Sequence, residues 1–100
     1  MFSLLTGKQK RYLRSLAHHL QPVMQIGKSG ITGGVLQQVD IELETRELVK
    51  LSVLETSPQD RDEIAEAIVE ETGAEWVQSL GRTVVLYRKS TEHPEIELPR

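Results

Sequence analysis

The sequence predicts a single α/β domain with a four-stranded mixed sheet and the element order α-β-α-β-α-β-β. First, segments with helical spacing of apolar residues alternate with short strand-like segments along the chain. Second, two successive β-α-β units favour parallel pairings through right-handed crossovers. Third, Gly81-Arg82 between the last two strands suits a type II′ hairpin turn, which adds an antiparallel pair. The length of 100 residues fits one compact domain.

The first predicted helix covers about residues 7–20. Thr6 suits its N-cap, and Gln9 is placed to complete a capping box. Apolar residues recur at i, i+3, i+4 and i+7 and form one buried stripe of Leu13, Leu16, Ala17 and Leu20. Pro22 ends the helix, and residues 23–26 read as a short strand.

The second predicted helix covers about residues 31–46. Its buried side repeats every four residues and consists of Ile31, Val35, Val39 and Leu43. Gly33 and Gly34 weaken the first turn by roughly 1 kcal/mol each relative to alanine. Residues 48–54 then alternate as a half-buried strand does, with Val49, Leu51 and Val53 on one side.

The third predicted helix begins near Ser57, which suits the N-cap, with Pro58 in the first helical position. Gly73 ends it. Residues 74–80 and 83–87 form the closing hairpin. We expect the domain to span residues 1–89 and residues 90–100 to form a flexible tail.

Charge is distributed unevenly along the chain, although the net charge is only −3. The first 39 residues contain five lysines and arginines and no acidic residue, which gives +5. Residues 40–100 contain all 15 acids and the other 7 bases, which gives −8. Such asymmetry predicts a molecule with one face suited to an anionic partner, although a chance fluctuation is the alternative.

The segment Gly27-Lys28-Ser29 resembles the end of a nucleotide-binding P-loop, which has the form Gly-x-x-x-x-Gly-Lys-Ser/Thr. The first glycine of that motif falls at position 22, where this chain has proline. Proline fixes its own φ and donates no backbone N–H, so it cannot begin the phosphate-binding nest. The sequence therefore argues against a nucleotide hydrolase.

What remains is a Gly-x-x-Gly loop, residues Gly27, Lys28, Ser29 and Gly30, between a strand and a helix. Two glycines allow a partner to approach the backbone closely, and the following helix N-terminus offers free N–H groups. Lys28 adds a full positive charge at the tip. KH domains clamp the backbone of single-stranded nucleic acids with such a loop. A plain tight turn is the alternative interpretation.

Other candidate contacts lie outside the loop. The bases of the first helix are expected to meet phosphates, and a solvated helix face is the alternative for them. Arg82 lies at the hairpin turn, and Arg88 follows the last strand. The full set of candidates beyond the loop is Lys8, Lys10, Arg11, Arg14, His18, Arg82 and Arg88. Trp76 and Tyr87 lie in strands, where core packing is the favoured interpretation over base stacking.

Several functional classes find no support in the sequence. There is no cysteine, and His93 alone accompanies the His18–His19 pair, so we expect no metal site and no cofactor. Ser29 has no base placed to activate it, so we expect no catalytic residue and no enzyme activity. No apolar run approaches a membrane span and no signal peptide is evident. We therefore expect a cytoplasmic protein.

The chain resembles the CRM domain family (chloroplast RNA splicing and ribosome maturation), in its stand-alone bacterial form. The resemblance rests on segments 5–9, 26–30, 47–51 and 81–88, which read LTGKQ, IGKSG, ELVKL and GRTVVLYR. It implies a fold similar to the C-terminal domain of translation initiation factor three. It also implies an RNA-binding protein associated with precursors of the large ribosomal (50S) subunit.

The prediction from the sequence is therefore a small monomeric protein that binds pre-ribosomal RNA of the large subunit and assists ribosome assembly. Its partner is RNA and not a membrane. The alternative is a protein-interaction adaptor that would use the acidic third helix or an exposed Ile41 and make no direct contact with RNA.

Overall fold

The computed structural model describes residues 4–100, and in it the chain forms one α/β domain with the predicted order of elements. The helices are α1 (Gly7–Ala17), α2 (Gly33–Arg46) and α3 (Arg61–Thr72). The strands are β1 (Met24–Ile26), β2 (Leu48–Val53), β3 (Glu75–Leu80) and β4 (Thr83–Tyr87). The predicted four-stranded mixed sheet is confirmed, with the spatial order β1-β2-β4-β3.

The strand pairing differs from the prediction in one respect. β1 pairs with β2 in parallel, as the first β-α-β unit predicts. The second unit does not bring β3 beside β2, because β4 lies between them and is antiparallel to both. β3 therefore runs in the direction of β2 without touching it. The hairpin turn places β4 in the centre, where its apolar side chains, Val84 to Tyr87, are all buried.

Capping groups define the start of α1, and the helix is shorter than predicted. The Thr6 hydroxyl accepts a hydrogen bond from the Gln9 N–H (3.1 Å), and the Gln9 side chain accepts one from the Thr6 N–H (3.0 Å). This capping box was predicted. The helix ends at Ala17 rather than residue 20, so Leu20 lies beyond the apolar stripe and is 37% exposed.

The start of α3 also differs from the prediction. The N-cap is Asp60, whose carboxylate accepts a hydrogen bond from the Glu63 N–H at 2.8 Å, and not Ser57. The Ser57 hydroxyl instead donates to the Gln59 carbonyl (2.7 Å), within the connection that precedes the helix. Asp60 rather than Ser57 is the N-cap because Glu63 completes a capping box with it. Gly73 ends the helix in the left-handed conformation, as predicted.

The sheet is covered on both faces. On one face α2 and α3 pack against the strands and form the larger core, whose central members are Val39, Leu43, Val49, Leu51, Ile64, Ile68 and Leu86. On the other face α1 packs over a smaller cluster of Leu13, Ala17, Leu48, Val77, Val85 and Tyr87. Tyr87 is thus a core residue, as interpreted from the sequence, and Trp76 is half-buried with its indole N–H donating to Ser79 Oγ (2.9 Å).

The segment 90–100 has no regular secondary structure, yet it is attached to the domain. The Glu47 carboxylate, only 2% exposed, accepts hydrogen bonds from the N–H groups of Ser90, Glu95 and Ile96 at 2.8–2.9 Å. Ile96 and Leu98 pack against the α1-side cluster. These contacts argue against a free tail, and the predicted division at residue 89 remains a prediction that a mobility measurement would test.

The attachment changes the ionisation of the groups involved. Burial acts to raise the pKa of Glu47, but the three N–H donors and the nearby Lys89 charge outweigh it and hold that pKa below its usual value. Hydrogen bonds, first from the Ser90 hydroxyl, likewise lower the pKa of Glu44. Burial, assisted by the charge of Glu47, raises the pKa of Tyr87. Glu44 and Glu47 hold the C-terminal segment through these hydrogen bonds, and Tyr87 belongs to the cluster on which Ile96 and Leu98 pack.

Candidate nucleic-acid interface

The glycine loop, residues 27–30, directly follows the edge strand β1. A hydrogen bond from the Gly30 N–H to the Gly27 carbonyl (2.8 Å) closes it as a tight turn. The strand end is held by a second bond, from the Leu54 N–H to the Ile26 carbonyl (2.8 Å). The loop thus begins from a rigid base and leads within three residues into α2, which starts at Gly33.

The connection between β2 and α3, residues 54–60, supports the loop from behind. Gly30 has φ +61, and a Cβ at this position would lie 2.2 Å from Gln59 Oε1 and 2.8 Å from Pro58 Cγ. The same Gln59 oxygen accepts a hydrogen bond from the Ile31 N–H at 3.1 Å. Gly30 is therefore required by the packing of the loop itself, besides any role with a ligand.

The tip of the loop faces solvent. Lys28 and Ser29 are exposed, and within residues 4–100 neither side chain makes a hydrogen bond or an ion pair. A Cβ on Gly27 would meet Leu54 Cδ1 at 3.3 Å, so this glycine packs closely on the supporting connection. The ammonium group of Lys28 is consequently held out on a well-supported turn with no internal partner to neutralise it.

The hairpin turn lies at the same end of the sheet as the glycine loop. Ile26 is paired with Val53, and the Val53 N–H donates to the Arg82 carbonyl at 2.7 Å. The Arg82 guanidinium is bound to Glu55, so this predicted site residue is partly neutralised. Arg61 also reaches this end, because its guanidinium donates to the Gly81 carbonyl at 2.6 Å.

The bases of α1 form a second group, on the other side of the sheet from α2 and α3. In the described part of the chain, the side chains of Lys10, Arg11 and Arg14 have no hydrogen-bond or ion-pair partner. Lys8 donates to the Arg100 carbonyl at 3.2 Å. His18 is the exposed C-cap, with its ring edge-on to that of His19 at 5.4 Å. Lys10, Arg11 and Arg14 therefore have no carboxylate partner among residues 4–100.

Arg88, in contrast, does not belong to either group. Its guanidinium donates to the Asp40 carboxylate (2.5 Å), the Thr72 carbonyl (2.9 Å) and the Asp40 carbonyl (3.1 Å). It follows β4, whose five residues separate it from the hairpin turn by about 17 Å. Arg88 therefore connects β4 to α2 and α3, and its role as an RNA contact stays a prediction from the sequence.

Two cations that the sequence analysis did not select are near the predicted site. Lys50 lies on β2, and its ammonium group donates to the Leu20 carbonyl at 3.3 Å, where the chain leaves α1. Arg61 lies at the first position of α3. In the sequence both were isolated bases among acidic or apolar neighbours. The alternation of β2 placed Lys50 on the polar side of that strand. No local signal pointed to Arg61.

The arrangement offers positive charge and backbone donors for an anionic ligand. None of the three groups with a shifted pKa lies at the glycine loop. Over residues 4–100, no three His, Cys, Asp or Glu side chains are grouped as ligands of a metal ion, and no helix in this range is long and apolar enough to cross a bilayer.

Comparisons with known proteins agree on one family. The family model of the CRS1 / YhbY (CRM) domain matches residues 5–88. The chain is 49% identical over 96 residues to the "Probable RNA-binding protein YqeI" of Bacillus subtilis, covering 96% of this chain and 100% of that protein. An RNA-binding protein of Haemophilus influenzae is 45% identical over 96 residues, which are 96% of each chain.

A solved structure shares both the sequence and the fold. The solution structure of the hypothetical protein SAV1595 from Staphylococcus aureus superposes with a TM-score of 0.79 at 53% identity, covering 96% of this chain and 100% of that one. The family model covers all seven helices and strands described above. The chain therefore belongs to the CRS1 / YhbY (CRM) domain family.

Proposed function

We propose that this protein binds RNA through its sugar-phosphate backbone, with the glycine loop and the α1 bases as the two contact regions. The observation that carries the proposal is the exposed Lys28, which has no side-chain partner among residues 4–100 and lies on a turn that the β2–α3 connection supports from behind. A preformed turn loses little conformational entropy when it binds. Phosphates supply much of the affinity of nucleic-acid complexes, and they favour lysine, arginine and backbone N–H groups.

The distribution of ion pairs supports the same proposal. The four arginines after residue 40 and before the tail, Arg46, Arg61, Arg82 and Arg88, each form a salt bridge within the molecule. Lys10, Arg11, Arg14 and Lys28 form none with any residue from 4 to 100. A face that serves only solubility normally mixes both signs of charge. The unpaired cations are therefore available for an external polyanion.

A more specific proposal concerns which RNA the protein binds. Relatives that match over nearly their full length are named RNA-binding proteins, and two of them are bacterial. The chain resembles the stand-alone bacterial form of this family, and that resemblance implies that the bound RNA belongs to precursors of the large ribosomal subunit. We propose that the protein acts there as a cytoplasmic monomer that assists assembly, without enzymatic activity of its own.

A charge reversal at the loop tests the RNA contact. Lys28→Glu is expected to weaken binding to large-subunit ribosomal RNA about tenfold or more, because it replaces attraction to phosphate by repulsion. The melting temperature should hardly change, since the side chain has no internal partner. Arg46→Glu is the matched control: it makes the same change in net charge at the far end of α2, on a side chain that is 56% exposed.

Binding to ribosomal RNA that is equally insensitive to both substitutions would refute the loop as a contact. The salt dependence provides an independent measure, since log K should fall linearly with log salt concentration, with a slope near one per phosphate contact. Lys28→Glu should reduce that slope and Arg46→Glu should not.

Fractionation of a cell lysate on a sucrose gradient tests the assembly role. The protein is expected to co-sediment with large-subunit precursors at low salt and to leave them at high salt. A protein found only at the top of the gradient at low salt would contradict the role in assembly, while leaving the RNA contact itself to the binding experiment.

One observation favours a second candidate function, that of a protein-interaction adaptor. Ile41 on α2 is 49% exposed, and an exposed apolar side chain of this kind can contact a protein partner. Association with ribosomal particles that is indifferent to salt, and purified protein that retains no RNA, would favour the adaptor.

A further inference from the structure

The sheet face on the side of α1 is only half covered. α1 packs over the end of the sheet that carries Leu48 and Tyr87. At the opposite end, beside the glycine loop, the side chains on this face are half-buried or exposed. Gln25 is one of them: Met24 and Ile26 pack into the core beneath α2 and α3, so the residue between them points to the α1 side.

Three polar side chains occupy this open half, one on each of three adjacent strands. Gln25 on β1 is the register partner of Ser52 on β2, and Ser52 is the partner of Thr83 on β4. Directly paired residues project from the same face of a sheet. Gln25, Ser52 and Thr83, here called the polar row, therefore form a line of about 10 Å across the sheet.

The polar row lies between the cationic groups described above. Gln25 is separated by one residue from the glycine loop, and Thr83 directly follows Arg82 at the hairpin turn. Lys50 projects from the same face two residues before Ser52, and its bond to the Leu20 carbonyl brings it to the end of the α1 segment. An extended strand of RNA held at the loop would therefore cross the row on its way to α1.

The chemistry of the row suits a hydroxyl partner. Within the described residues, the side chains of Gln25 and Ser52 make no hydrogen bond. The Thr83 hydroxyl donates to the Leu80 carbonyl (2.7 Å) and keeps its acceptor lone pairs. Amide and hydroxyl groups both donate and accept, as a ribose 2′-OH does, and the 2′-OH is what distinguishes RNA from DNA at a protein site.

We infer that the polar row recognises ribose 2′-hydroxyls of a single-stranded RNA segment bound at the glycine loop, and so discriminates RNA from DNA. No member of the row is a carboxylate and Lys50 beside it is a cation, so the row itself does not repel a phosphate backbone. This inference rests on the proposed function, since it deepens the description of the same site.

The test compares single-stranded RNA and DNA of the same base sequence. The unmodified protein is expected to bind the RNA more tightly. Gln25→Ala and Ser52→Ala should each lower the affinity for RNA roughly two- to tenfold, the effect of one lost hydrogen bond, and leave the affinity for DNA unchanged. Ser52→Thr keeps the hydroxyl and should keep the preference for RNA.

Gln38→Ala is the matched control, because Gln38 is exposed on α2 at the other side of the sheet. Equal affinity of the unmodified protein for RNA and DNA, or an equal loss for both in the row variants, would overturn the inference. If that happens while Lys28→Glu still weakens binding to ribosomal RNA, the proposed function stands and only the polar row is refuted. If Lys28→Glu also has no effect, both fail.

Discussion

Replacing Gly30 by alanine tests whether the glycine loop is built around a position that only glycine can occupy. Two effects act together at this site. The backbone has φ +61, which is unfavourable for a residue with a Cβ. The new Cβ would also lie 2.2 Å from Gln59 Oε1 and 2.8 Å from Pro58 Cγ, so at least one of these neighbours must move.

The size of the effect follows from those two contributions. The left-handed conformation costs an alanine roughly 1–2 kcal/mol. Displacing the Gln59 side chain breaks its hydrogen bond with the Ile31 N–H, which costs about 1–2 kcal/mol if the donor is left without a partner. We therefore expect Gly30→Ala to lower the free energy of unfolding by about 2–4 kcal/mol.

Gly33→Ala is the matched control three residues away. No atom lies within 4 Å of the Cβ that would be added at this position, which is the first residue of α2. An alanine there restricts the unfolded chain without strain, so it should raise the free energy of unfolding by about 0.4–1 kcal/mol. The same substitution is thus expected to change the free energy of unfolding in opposite directions at the two glycines.

Thermal unfolding followed by circular dichroism measures both variants. For a domain of this size, 1 kcal/mol corresponds to roughly 4–8 °C in the melting temperature. Gly30→Ala should therefore melt well below the unmodified protein and Gly33→Ala slightly above it. If Gly30→Ala melted at the same temperature as the unmodified protein, the conclusion that Gln59 and Pro58 fix the loop would be refuted.

Three further outcomes are expected. Glu55→Gln should tighten RNA binding by a few-fold, because it releases the Arg82 guanidinium; unchanged or weaker binding in a filter or fluorescence assay would exclude Arg82 as a contact. Arg88→Ala should destabilise the domain in urea unfolding, since its partners are Asp40 and Thr72; a loss of RNA affinity in the still-folded variant would support the RNA contact predicted from the sequence, and an unchanged affinity would contradict it. Because the pKa of Glu47 is lowered in the fold, its carboxylate contributes stability above about pH 4.5 that is lost as the pH falls through the folded pKa. Glu47→Gln should flatten this acid-side loss, and an unchanged pH profile would contradict it.

Local signals in the sequence determined much of the framework. Thr6 with Gln9 marked the start of α1, and Gly73 marked the end of α3, because capping depends on residues within one turn of the helix end. Strand alternation in β2 gave the correct buried side. The glycine loop was also identified locally, since proline at position 22 excludes a P-loop whatever the fold.

The structure adds two kinds of information to the sequence, one local and one that joins residues far apart in the chain. Ser57 and Asp60 are both good N-caps, and the choice of Asp60 follows from a local signal, the capping box that it forms with Glu63 three residues later. Arg88 looked like a free base next to a strand, but its carboxylate partner Asp40 is 48 residues away. A local sequence pattern spans only a few residues and cannot indicate a partner so far along the chain.

Sequence patterns were sufficient for the order of elements, the separation of an acid-free first segment from an acidic remainder, and the lysine at the tip of the glycine loop. The folded structure was needed to identify the cations that lack partners among residues 4–100, the attachment of the C-terminal segment to Glu47, and the row formed by Gln25, Ser52 and Thr83. The physical reason is that periodicity and capping act over a few residues, whereas strand register and ion pairing join residues that the chain separates by tens of positions.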